Sequence, residues 1–198
     1  MSKPLVVVTT LLPVVAILLH AGAPPQPRGT IGSSAALARG RMPSVPRAWV
    51  PRIKSERWEC IVIHHSATPM GGAARFDRAH RERGFDELGY HFVIGNGTDT
   101  ADGQVEVGPR WKAQKYGAHC RSPEDYYNEH GIGICLVGNF DEDRPTAAQT
   151  ESLTRLVRYL TRTYDIPTSK VLTHGGVTGM THCPGKNFDV KALRKAVR

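Results

Sequence analysis

The chain has 198 residues, 22% of them charged and 40% hydrophobic, with 20 glycines and 14 prolines, a composition that fits one globular domain with an extension and excludes a disordered, collagen-like or coiled-coil protein. Four cysteines are too few for a disulfide-built scaffold, and a single apolar run excludes a multi-span membrane protein. The net charge of +8 is uneven: residues 1–49 contribute +5 through Lys3, Arg28, Arg39, Arg41 and Arg47 with no acidic residue, leaving +3 for the rest. The basicity therefore marks a tail, and no aromatic-plus-basic stripe argues for nucleic acid as a partner.

Lys3, the apolar run Leu5–Leu19 and the small triplet Ala21-Gly22-Ala23 have the order of an export signal over residues 1–23. Pro24 is a poor residue after a cleavage site, so the segment reads as a signal peptide or as an uncleaved membrane anchor. Either reading places the protein outside the cytoplasm, in the periplasm or the extracellular space. Residues 24–51 hold six prolines among Gly, Ser, Ala and Arg without apolar periodicity and read as a linker. Residues 52–198 are then the folded domain.

Within that domain, the β-branched run Cys60–His64 predicts a buried strand, ended by Ser66-Ala67-Thr68-Pro69. Ala74–Arg83 predicts a helix closed by Gly84. Tyr90–Ile94 predicts a second strand, and the turn signals Asn96-Gly97 and Asp102-Gly103 lead into Gln104–Val107 as a hairpin partner. Ile132–Val137 is a third buried run. Thr146–Gln149 has the form of a capping box, followed by Leu153, Leu156, Val157, Leu160 and Tyr164 at helical spacing. Lys170–Thr173 predicts another strand, and Asp189 caps a last helix through Leu193 and Val197. Strands separated by helices, with one hairpin, predict an α/β class domain with a central mixed β-sheet flanked by helices.

His64 ends the first predicted strand and His174 follows the Lys170–Thr173 strand, where open α/β sheets place their sites. Cys183 lies nine residues beyond His174, across a stretch whose three glycines suggest a pliable loop. Two imidazoles and a thiolate suit zinc, and three protein ligands leave the fourth tetrahedral position for water, as catalytic zinc requires. Residues 64 and 65 point to opposite faces of a strand, so only one of the paired histidines can serve a given ion. Taken singly, each histidine also reads as a hydrogen-bonded structural residue and the cysteine as a small core residue.

Ile63-His64-His65-Ser66-Ala67-Thr68, Gly89-Tyr90-His91-Phe92-Val93-Ile94, Gly117-Ala118-His119, Asn128 with Gly131-Ile132-Gly133-Ile134, and His174 through Thr181-His182-Cys183-Pro184-Gly185 follow one another in a characteristic order. They resemble the motifs of the zinc-dependent N-acetylmuramoyl-L-alanine amidases of the type 2 amidase and peptidoglycan-recognition protein family, over residues 58 to about 190. The resemblance implies that family's fold, zinc ligands at His64, His174 and Cys183, a catalytic tyrosine at Tyr90, and Thr181 as a donor to the oxyanion. It implies peptidoglycan as the partner, cut between the lactyl group of N-acetylmuramic acid and the L-alanine of the stem peptide. His65, His119 and Asn128 are the candidate substrate-contacting residues, with a turn-stabilising hydrogen bond as the other reading of His119 and Asn128.

One departure stands out. Some members carry a glutamate after the Ile-Gly-Ile run, proposed to assist proton transfer, and here the residue is Cys135. Proton handling then falls to Tyr90, to His65 or to water. With Cys183 on zinc, Cys60, Cys120 and Cys135 are an odd set: one disulfide and a free thiol, or three buried thiols. Two other functions compete. A non-catalytic peptidoglycan-binding module would keep the groove, although such relatives commonly lose the cysteine ligand retained here. A thiol hydrolase would use Cys120 beside His119, with no orienting acid evident.

Overall fold

Residues 44–198 are described by a computed structural model, and the export-type segment read in residues 1–23, like the linker up to residue 43, lies outside the described residues. In chain order the elements are β1 (Cys60–His65), α1 (Ala73–Glu82), β2 (Phe92–Ile94), β3 (Val105–Val107), α2 (Pro109–Ala113), α3 (Tyr126–Glu129), β4 (Gly131–Leu136), α4 (Ala147–Thr163), β5 (Val171–Thr173), α5 (His174–Thr178) and α6 (Val190–Ala196). The sheet runs β3-β2-β4-β1-β5, and only the β2–β3 hairpin is antiparallel. The mixed α/β sheet flanked by helices is the architecture the sequence predicts.

Period-two alternation divides the sheet between two cores. Ile61 and Ile63 face a large cluster with Phe92, Ile132, Ile134 and Val171, onto which α4 lays Leu153, Leu156, Val157 and Leu160. On the other face Val93, Cys135 and Val137 pack with Phe76 of α1 and with Leu88. The capping box opens α4: the Thr146 hydroxyl accepts from Gln149 N–H at 3.0 Å, and Gln149 Oε1 accepts from Thr146 N–H at 3.1 Å. Asp189 caps α6 by accepting from Ala192 N–H at 2.9 Å.

Among the described residues, packing against the core includes positions before residue 52, within the stretch whose composition reads as a linker. Val45 lies against the core, and Trp49 is buried with its carbonyl accepting from the Trp111 indole N–H at 2.8 Å. One large aromatic buries enough apolar area to order the proline-rich stretch around it. The short helices α2, α3 and α5 were not predicted either, since four or five residues cannot display a helical period.

The second strand is also shorter than predicted. His91 N–H still donates to Gly133 O at 2.9 Å, but Gly133 N–H donates back to the His91 ring nitrogen Nδ1 at 2.9 Å, a side chain standing in for a strand carbonyl. In the same way His80 Nδ1 accepts from Gly89 N–H at 2.8 Å. Both rings are buried, both must be neutral to accept, and burial lowers each from its ordinary 6.5 to about 4. Between those values the unfolded chain binds protons that the folded one refuses. Stability is therefore complete above pH 6.5 and is lost on acidification towards 4. At about pH 5 we expect about 1–2 kcal/mol lost per histidine, read as a lower urea midpoint than at neutral pH. An unchanged midpoint would contradict it.

Candidate metal centre

The register of two parallel strands decides the site. Ile63 pairs with Thr173, so His64 of β1 and His174, the residue that follows β5, stand side by side with ring centroids 4.6 Å apart. The Thr173 hydroxyl accepts from Gly176 N–H at 3.1 Å and turns the chain directly into α5, so the expected pliable loop begins as a capped helical turn. Backbone contacts return Cys183 to this point. Gly175 N–H donates to Cys183 O at 2.7 Å, and Gly185, at φ +103°, presses against the Phe140–Asp141 backbone so closely that a Cβ would lie 2.6 Å from Asp141 N.

Cys183 Sγ accepts from His65 N–H at 3.4 Å and lies 3.8 Å from His64 Nδ1. The ligand atoms of His64, His174 and Cys183 all lie within 4.8 Å of one another. Two nitrogens and one sulfur, with no carboxylate in the group, make a donor set for zinc rather than for a hard oxygen-seeking cation. Burial holds both histidines below their ordinary value, so each keeps a lone pair. Burial pushes the Cys183 thiol up to about 12, against the pull of the His65 N–H. A cation arriving here must displace that thiol proton.

A cavity of 480 Å³ adjoins the group and is lined by Tyr90, His119, Asn128 and His174. Ala118, Cys120 and Asp125 also line it, as do His80, Arg83, Phe85 and Arg121. None of these last four was singled out from the sequence, and no local pattern marks them, because only the folded chain brings the end of α1 and the segment after it together with the segment before α3. The Tyr90 ring lies 5.2 Å from that of His64, and its hydroxyl is hydrogen-bonded to the Cys135 thiol. Burial raises Tyr90 well above its ordinary value, so it stays protonated and acts as a donor. The Cys135 thiol is fully buried and likewise raised, so it remains neutral and provides no base.

His65 points to the opposite face, as alternation requires, and its Nδ1 accepts from Phe140 N–H at 3.1 Å. A neutral ring accepting at Nδ1 carries its hydrogen on Nε2. It has no spare lone pair, which removes it from the proton acceptors considered above. Thr181 Oγ1 accepts from Cys183 N–H at 3.1 Å and steadies the ligand's backbone. Asn128 spends its amide on its own loop: Oδ1 accepts from His119 N–H and Cys120 N–H at 2.8 and 2.9 Å, and Nδ2 donates to Asp125 at 2.7 Å. His119 faces His64 Nε2 through Nδ1 at 3.1 Å and Gly131 O through Nε2 at 3.2 Å.

All four cysteines are free and buried, so the disulfide alternative is not realised. Cys120 has its thiol pushed up to about 11 by burial, and both nitrogens of His119 are turned to other partners. The thiol-hydrolase alternative therefore lacks both its thiolate and its base.

A family model described as N-acetylmuramoyl-L-alanine amidase matches residues 54–186. The endolysin of Escherichia phage T7 is 33% identical over 144 residues, which cover 69% of this chain and 85% of that protein. Among solved structures, the N-acetylmuramoyl-L-alanine amidase LysC from Clostridium intestinale is similar with a TM-score of 0.60 and 31% identity, over 71% of this chain and 87% of that one. Drosophila PGRP-LB is similar with a TM-score of 0.53 and 26% identity, over 66% and 76%.

Proposed function

The chain belongs to the N-acetylmuramoyl-L-alanine amidase family, and from that premise we propose that it hydrolyses the amide between N-acetylmuramic acid and L-alanine of peptidoglycan with one zinc ion held by His64, His174 and Cys183. The observation that carries this reading is the convergence of the three ligand atoms within 4.8 Å. Bound there, zinc would supply a Lewis acid that makes water a nucleophile near neutral pH and polarises the scissile carbonyl.

The chain's own residues do the rest. The two histidines bring lone pairs, and Cys183 surrenders its thiol proton. Tyr90, kept protonated by burial, turns its hydroxyl from Cys135 to the oxygen that gains charge as the carbonyl is attacked. Thr181 is the second donor to that oxygen: its Oγ1 already accepts from Cys183 N–H, which leaves the hydroxyl hydrogen for another partner. His119 and Asn128 reach the cavity with their polar atoms engaged inside the protein, whereas His65, on the opposite face of β1, is not part of its wall. Arg83 and Arg121 outnumber the one carboxylate of that wall, Asp125, which already accepts from Asn128 Nδ2, and so suit the carboxylates of stem peptides.

A non-catalytic binding module needs neither a cysteine at position 183 nor a protonated hydroxyl beside His64, and the presence of both favours turnover. Purified protein incubated with sacculi is expected to release free stem peptides that begin with L-alanine, identified by mass. Excess chelator stops the release and added zinc restores it. Undiminished release in chelator would overturn the zinc reading, and binding to sacculi without release would favour the module. We also propose that residues 1–23 export the chain to this polymer, on the order of Lys3, the apolar run and the small triplet; recovery of the protein in the cytoplasmic fraction would contradict it.

A further inference from the structure

A ligating imidazole needs its metal-facing nitrogen free of hydrogen, and that is arranged by what its other nitrogen touches. His64 Nδ1 faces Cys183 Sγ at 3.8 Å, and Nε2 faces His119 Nδ1 at 3.1 Å. An N···N contact has no intrinsic direction. The direction comes from the far side of His119, where Nε2 lies 3.2 Å from Gly131 O. A carbonyl oxygen only accepts, so the hydrogen of a neutral His119 sits on Nε2 and Nδ1 is left as an acceptor. His64 must then donate from Nε2, which leaves its Nδ1 lone pair turned to Cys183 and the metal position.

We infer that His119 is a positioning residue for the zinc site: a one-way relay, Gly131 O to His119 to His64, fixes the tautomer and ring angle of the first ligand. This rests on the zinc reading above.

The surroundings of His119 are built to hold it. A Cβ on Gly133 would sit 2.6 Å from its Cγ and 2.7 Å from its Nε2, and one on Gly117 would sit 2.8 Å from Nε2. Gly133 thus leaves β4 bare beside the ring, and Gly131 meets it through its carbonyl oxygen. Asn128 Oδ1 fixes the backbone by accepting from His119 N–H at 2.8 Å. The motif residues Gly117, Asn128, Gly131 and Gly133 converge on this one ring.

The first test is made on the metal-free, unmutated protein labelled with nitrogen-15. The relay requires the proton on His64 Nε2, with scalar coupling across the hydrogen bond to an unprotonated His119 Nδ1. A proton on His64 Nδ1 or on His119 Nδ1 overturns it. The second test is zinc affinity by chelator competition. His119→Leu, which fills the slot without an acceptor, is expected to weaken zinc binding about 10–100-fold. His119→Asn, whose Oδ1 stands near the place of Nδ1, recovers part of that loss. Parental affinity in His119→Leu, or no recovery in a folded His119→Asn, overturns the relay alone. A parent chain that binds no zinc overturns the zinc reading and the relay with it.

Discussion

Cys183→Ala leaves the protein without zinc after dialysis and lowers release of stem peptides from sacculi by about 10³-fold or more. The size follows from the several kcal/mol a metal contributes to charge stabilisation, at about 1.4 kcal/mol per factor of ten. Removing Sγ leaves two imidazoles for an ion that takes three protein ligands in catalytic sites. It also leaves the His65 N–H, which donates to Sγ at 3.4 Å, without its acceptor. That second loss is separable. Cys183→Ser offers His65 N–H an oxygen, so it keeps the loop in place yet has no thiolate to give. Both variants should lose metal and activity, while the serine variant unfolds closer to the metal-free parent. Metal analysis with product mass spectrometry checks this, and zinc retained at full stoichiometry by both variants would remove Cys183 from the ligand set.

Tyr90→Phe behaves differently: zinc content stays at the parental level while kcat falls by about 10²–10³, the usual cost of one donor to a developing oxyanion. The ring remains, packed against Phe76, Leu88 and Val93 and 5.2 Å from His64, so the wall of the cavity is preserved. What disappears is one O–H, whose bond to Cys135 costs about 1 kcal/mol of stability when removed. A fall in kcat without a rise in KM is the signature of an interaction made in the transition state. Hydrolysis at the parental rate would remove Tyr90 from the mechanism. Because Cys135 stays neutral and His65 carries its hydrogen on Nε2, neither takes over as a base in the variant.

The elements legible in the sequence are those with a period or a cap long enough to read. The β-branched run became β1, Thr146 and Gln149 formed the reciprocal cap of α4, and Asp189 capped α6. The burial of Trp49 is not written in composition, which averages over its neighbours; it is decided by one side chain finding a slot beside Trp111 and Tyr159. Among site residues, alternation along β1 already separated His64 from His65, since successive side chains face opposite sides of any strand. The part played by His119 was not legible. A histidine in Gly-Ala-His says nothing of which nitrogen it offers or to whom.

Residue order alone determined the sheet-and-helix alternation, the two strand-end histidines and a cysteine within reach, because periodicity, capping and chain connectivity are local properties of the polypeptide. Only the tertiary structure decided that Ile63 pairs with Thr173, that Gly185 lies against Phe140, and that His119 lies against Gly133 of β4 with its nitrogens directed to His64 and Gly131. These are contacts between residues distant in the chain, fixed by strand register and by the absence of side chains at close approaches. Hydrogen-bond direction, and with it the nitrogen left free on His64, exists only once those partners meet.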